Sequence, residues 1–165
     1  DYYFINEPEK VVRAVYGTNP FVESRKVSDF LNTKMKKEDG LVVFGSEPQI
    51  YMYTQKDAPS RHFYCGNLVQ GHPIVKDWSE EFKKDFAKAN PKYAVWVQHP
   101  YSWSVPKNGN TAFIDWGYDQ LKKNYHPIGY ADIVDNSKTE YVWDAAALPY
   151  KPKGPEYLIV LERNN

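Results

Sequence analysis

Leu41-Val42-Val43-Phe44, closed off by Gly40 and Gly45, is a run without a single polar position. A strand with one wet face alternates apolar and polar residues, so this run predicts a strand covered on both faces. Residues 93–98 form a second near-continuous apolar run. Two such strands demand a layer of helix on each side of their sheet.

The flanking sequence supplies those helices. Asn19 is a suitable N-cap, Pro20 fits the first helical position, and Glu23 suits the positive end of the helix dipole. Val27, Phe30 and Leu31 then recur at helical spacing, with Lys34, Lys36 and Lys37 before a stop at Asp39-Gly40. Ser46 and Gln49 have capping-box spacing around Pro48, which predicts a short helix over 47–54. Trp78, Phe82 and Phe86 share one face of a helix over 78–90, with Asp77 and Glu80 as its cap. Phe113, Trp116 and Leu121 point inward from a helix over 111–124. Residues 8–16 suggest a turn of helix, and the Pro-, Gly- and Asn-rich stretch 100–110 an outward loop. Further strands are expected at 62–66, 127–134, 140–143 and 156–162. The expected fold is α/β with three layers: a mixed sheet flanked by helices, with a parallel core and antiparallel C-terminal strands. Residues 1–18 read as a lead-in and 19–165 as a single α/β domain.

Composition excludes several functions. Lysine and arginine number 21, aspartate and glutamate 21, so no global field attracts nucleic acid or an anionic membrane surface. Nucleic acid is not an expected partner. No stretch approaches the roughly 20 apolar residues that cross a bilayer. The single cysteine, Cys65, has no partner for an internal disulfide. His62, Cys65 and His72 lack the paired spacing of a metal site. With 14 tyrosines and 5 tryptophans, the chain is rich in rings suited to half-wet surfaces, whether facing carbohydrate or building a Tyr-rich core.

The segment from Val43 to Tyr51 places a glycine and polar side chains where a buried strand meets a helix. In open α/β sheets, ligands bind outside the carboxyl ends of strands. Ser46, Glu47, Gln49 and Tyr51 are therefore candidate substrate-binding residues, although Gly45 can simply permit a turn and Ser46 simply cap it. Arg61 can clamp an anion or pair with Glu47. Glu23 and Glu47 can face one cleft as an acid/base pair, or serve as first-turn carboxylates. Tyr101 and Trp103 can stack on a sugar or fold back onto the core. No catalytic residue is assigned.

Several ordered segments carry a resemblance: residues 16–24 (YGTNPFVES), Gly45-Ser46-Glu47-Pro48-Gln49-Ile50-Tyr51, Ser60-Arg61, Pro91-Lys92-Tyr93, Ser102-Trp103, Tyr141-Val142-Trp143 and Leu158-Ile159-Val160. Together they resemble the C-terminal soluble part of bacterial GT-C class membrane glycosyltransferases, similar to dolichyl-phosphate-mannose protein mannosyltransferases and aminoarabinose transferases. The resemblance implies an accessory, non-catalytic domain of an enzyme that takes sugar from a polyprenyl-phosphate donor. It places the domain on the periplasmic or extracellular face of the cytoplasmic membrane. The implied partners are the membrane-embedded part of the same polypeptide and a polyprenyl-phosphate sugar or acceptor glycan. Residues 1–18 would then lead in from a missing membrane anchor. No cofactor is expected in this domain; a divalent metal, where one is used, would belong to the rest of the parent enzyme. The alternative is a stand-alone α/β module that binds sugar or phosphate.

Overall fold

A computed structural model describes residues 7–164. Its sheet has five strands: β1 (Leu41–Phe44), β2 (Tyr93–Gln98), β3 (Tyr125–Asp135), β4 (Lys138–Trp143) and β5 (Glu156–Arg163). Their spatial order is β1-β2-β5-β3-β4. β1 and β2 run parallel, Leu41 beside Tyr93 and Phe44 beside Trp96. All other pairings are antiparallel. The expected mixed sheet, with its parallel core and antiparallel C-terminal part, is present.

Helices cover both faces. On one, α2 (Phe21–Lys34) and α3 (Gln49–Thr54) bury Val27, Leu31, Ile50 and Tyr51 against Leu41, Val43, Val95, Val97 and Val160. On the other, α4 (Val75–Ala89) and α6 (Ala112–Asn124) bury Phe82, Phe86, Phe113 and Leu121 against Val42, Phe44 and Trp96. The alternation Val42/Val43 thus feeds two cores, which is why β1 tolerates no polar residue. Phe44 is fully buried, with the rings of Phe82 and Phe86 each 5.8 Å away. Burying such a side chain stabilises the fold by roughly 1.5–3 kcal/mol. α6 approaches closely because Gly117 lies over that ring; a Cβ there would stand 3.0 Å from two Phe44 ring carbons.

Local structure departs from expectation in several places. Residues 62–66 form no strand; a 3₁₀ turn, Cys65–Val69, folds back so that Cys65 N–H donates to Gly45 O at 2.9 Å. Asn19 does not cap α2, which starts at Phe21 after Pro20. The Ser46–Gln49 capping box does not form, because Ser46 Oγ donates to Ser102 O and Gln49 Nε2 donates to Ser24 Oγ. Asp77 and Glu80 cannot cap α4, which begins earlier, at Val75. The stretch after β2 contains a one-turn helix, α5 (Pro100–Trp103), capped by His99, whose ring accepts from Tyr101 N–H.

The lead-in holds α1 (Pro8–Tyr16), longer than a single turn. None of its residues is buried. Its anchor is Arg13, whose guanidinium pairs with the fully buried Glu23 of α2 and donates to Thr139 Oγ1 of β4 at 3.0 Å.

Candidate functional site

Because β1 and β2 are parallel, their carboxyl ends open on the same rim of the sheet, and Gly45-Ser46-Glu47 leaves beside His99-Pro100. α5 then brings Ser102 against the first of these turns. Ser102 Oγ accepts from Ser46 N–H at 2.9 Å and donates to Glu47 Oε2 at 2.7 Å. Ser46 Oγ in turn accepts from Gly66 N–H at 3.1 Å. Three chain segments are therefore laced together by two serines.

Gly45 makes this possible. A Cβ at that position would lie 2.3 Å from Glu47 Oε2, 2.7 Å from Ser102 Oγ and 2.9 Å from Val97 Cβ. The Glu47 carboxyl folds back into this space, and Glu47 is only 4% exposed. Removal from water disfavours its charged form. Burial pushes its pKa up from 4.5 to about 7, against the weaker opposing pull of the hydrogen bonds to Ser102 and Ser46. Glu47 therefore holds or yields a proton near neutrality.

His99 is also buried. Its Nδ1 accepts from Tyr101 N–H at 3.3 Å, which leaves the proton of a neutral ring on Nε2. That nitrogen lies 3.4 Å from Thr18 Oγ1 and 3.5 Å from Glu156 Oε2. Burial lowers the pKa, opposed by Glu156 and reinforced by the positive charge of Arg13.

A cavity of about 270 Å³ opens over this network, lined by Ser46, Glu47, Gln49, Tyr101, Asn19, Phe21, Pro48 and Tyr64. Four of the eight expected site residues are thus brought together: Ser46, Glu47, Gln49 and Tyr101. The other four are elsewhere. Tyr51 is buried in the core, its hydroxyl accepting from Val43 N–H at 2.8 Å. Trp103 folds back, donating to Val97 O at 2.9 Å and packing 5.2 Å from the Trp96 ring. Arg61 pairs in bidentate fashion with Glu81, both contacts 2.8 Å, rather than with Glu47. Glu23 is committed to Arg13 and Thr139, and its Oε2 is buried without a hydrogen-bond partner.

Ser102, His99, Asn19, Phe21 and Tyr64 join the site without being among its candidates from sequence. Ser102 and His99 were accessible to the same rule that pointed to Ser46, since they too follow a buried strand. Asn19, Phe21 and Tyr64 carry no such signal, because only tertiary packing brings them to the rim.

The fold and rim define a three-layer mixed α/β domain with a small polar and aromatic cavity at the carboxyl ends of its parallel strands. Comparison with protein-family models, curated proteins and solved structures finds no match to this chain.

Proposed function

We propose that this is an accessory, extracytoplasmic domain of a membrane glycosyltransferase that draws on a polyprenyl-phosphate sugar, and that its rim cavity receives one neutral sugar unit of the acceptor. The observation that carries the sugar reading is the lining itself. It combines a hydroxyl from Ser46 and the amides of Asn19 and Gln49 with the rings of Phe21, Tyr64 and Tyr101. Amides and hydroxyls match sugar hydroxyls, and half-wet rings match the apolar face of a pyranose. Among the described lining residues there is no Lys or Arg, while Glu47 contributes a carboxyl. A phosphate would find no counter-charge there, which disfavours the phosphate-binding alternative. The membrane assignment rests on the ordered set of resembling segments, one of which supplies Ser46, Glu47, Pro48 and Gln49 to the cavity lining. No described helix is long and apolar enough to cross a membrane, so the catalytic membrane part would lie elsewhere in the polypeptide.

Two measurements test this. The coding sequence upstream of Asp1 should specify several hydrophobic spans; a start codon immediately before Asp1, or a cleavable signal peptide, overturns the membrane assignment. Titration of the isolated domain with methyl glycosides, followed by amide chemical shifts, should perturb Ser46, Gln49 and Tyr101 saturably. Loss of those shifts in Tyr101→Ala is expected, and their persistence rules the cavity out.

A further inference from the structure

A second concavity, of about 390 Å³, lies on the sheet face that α6 leaves uncovered, and it includes Trp96 of β2, Tyr130 of β3 and Tyr157 of β5. Tyr118 and Lys122 of α6 form one side and Pro152 the other. From these observations we infer that this groove is a second binding site, and that its ligand is a short neutral saccharide.

The wall opposite α6 is built rather than incidental. Asp132, fully buried in β3, accepts from Tyr150 Oη at 2.7 Å, from Lys153 N–H at 2.7 Å and from Gly154 N–H at 3.3 Å. One carboxylate thus pins the turn that carries Pro152 over the sheet. A carboxylate accepting several N–H and O–H groups holds a fixed geometry, so the turn that carries Pro152 is positioned by the fold itself.

Ring geometry selects the ligand. Tyr130 and Tyr157 have centroids 6.5 Å apart at 58°, and Trp96 and Tyr118 lie 5.9 Å apart at 69°. Neither of these two pairs is parallel, so neither offers a stacked slot for a flat heteroaromatic group. A chair-shaped sugar can lie on one ring face while its hydroxyls reach the tyrosine hydroxyls. Burial, then the neighbouring Tyr157 and Tyr118, push the Tyr130 pKa up, so that hydroxyl remains a donor as well as an acceptor. Charge agrees: Lys122 is exposed and is the one charged residue among the described lining residues. Neither a polyanion nor a cation finds a matching array.

The site is independent of the rim cavity, and the test separates them. The isolated domain is titrated with maltose, cellobiose and mannobiose, reading tryptophan fluorescence and amide shifts. At least one disaccharide should saturably perturb Trp96, Tyr118 and Tyr157. Tyr118→Ala, at an exposed position, should weaken that binding about tenfold with an unchanged melting temperature, whereas Tyr101→Ala should leave it intact. Tyr157→Phe removes only a hydroxyl and should also weaken it, which keeps the test valid if Tyr118→Ala misfolds. Absence of saturable shifts in the groove with all three sugars, or full affinity in both variants, overturns the inference.

Discussion

Glu47 and Ser102, 55 positions apart in sequence, meet through a 2.7 Å hydrogen bond in the space that the missing Cβ of Gly45 leaves free. The pair ties the exit of β1 to the exit of β2. Its consequences are measurable without knowing the ligand.

The first concerns pH. Burial raises the Glu47 pKa from 4.5 to about 7, so folding favours the protonated form. That contribution is fully present below the unfolded pKa and is lost as pH rises through about 7. Over this window the group should cost the fold about 3 kcal/mol. Urea midpoints of Glu47→Gln should accordingly vary less between about pH 5 and pH 8 than those of the parent. Parallel curves for the two proteins would show that Glu47 does not titrate in this range.

Gly45→Ala should destabilise by about 1–3 kcal/mol, the usual cost of overpacking. The added methyl must displace either the Glu47 carboxyl or Val97. If the carboxyl moves, the hydrogen bond to Ser102 breaks and the alkaline loss of stability described for Glu47 shrinks in the same variant. Denaturation curves at two pH values would detect both effects.

Arg13→Ala should cost about 3–5 kcal/mol, because it strands the fully buried Glu23 carboxylate. It should also free α1, which buries no residue of its own. Amide exchange across residues 8–16 is expected to accelerate while β2 stays protected. Lys10→Ala, on the same helix but with its side chain 73% exposed, should change neither.

Arg61→Ala should leave the melting temperature unchanged and should not affect sugar binding at the rim. Its pair with Glu81 is solvent-exposed, and exposed pairs contribute little. A marked loss of binding would instead mean that Arg61 turns toward the cavity when a ligand enters.

Much of the architecture was legible because hydrophobic pattern determines layers. Leu41–Phe44 had to be covered twice, and it is, by α2 and α3 on one side and α4 and α6 on the other. Caps are less legible than layers. Ser46 has the right neighbours in sequence for a capping box, but Ser102 offers it a better partner from across the fold, and no local pattern announces a bond over that separation. Trp103 and Tyr51 looked like candidates because aromatic type does not reveal direction; both turn inward to satisfy backbone groups of Val97 and Val43. Residues 62–66 have strand-like composition, yet Gly66 approaches Ser46 so closely that a Cβ would lie 2.7 Å from its Oγ, a constraint a sequence pattern cannot display.

Strand order has a final consequence for how the molecule is assembled. β5 sits between β2 and β3, so the β1-β2 half and the β3-β4 hairpin share no ladder until residues 156–163 are in place. During synthesis the ribosome would release two half-sheets with open edges before the strand that joins them emerges. Interruption of translation before residues 156–163, or proteolytic clipping within them, should therefore leave paired but unjoined pieces, prone to recruit another copy's β5 in place of their own.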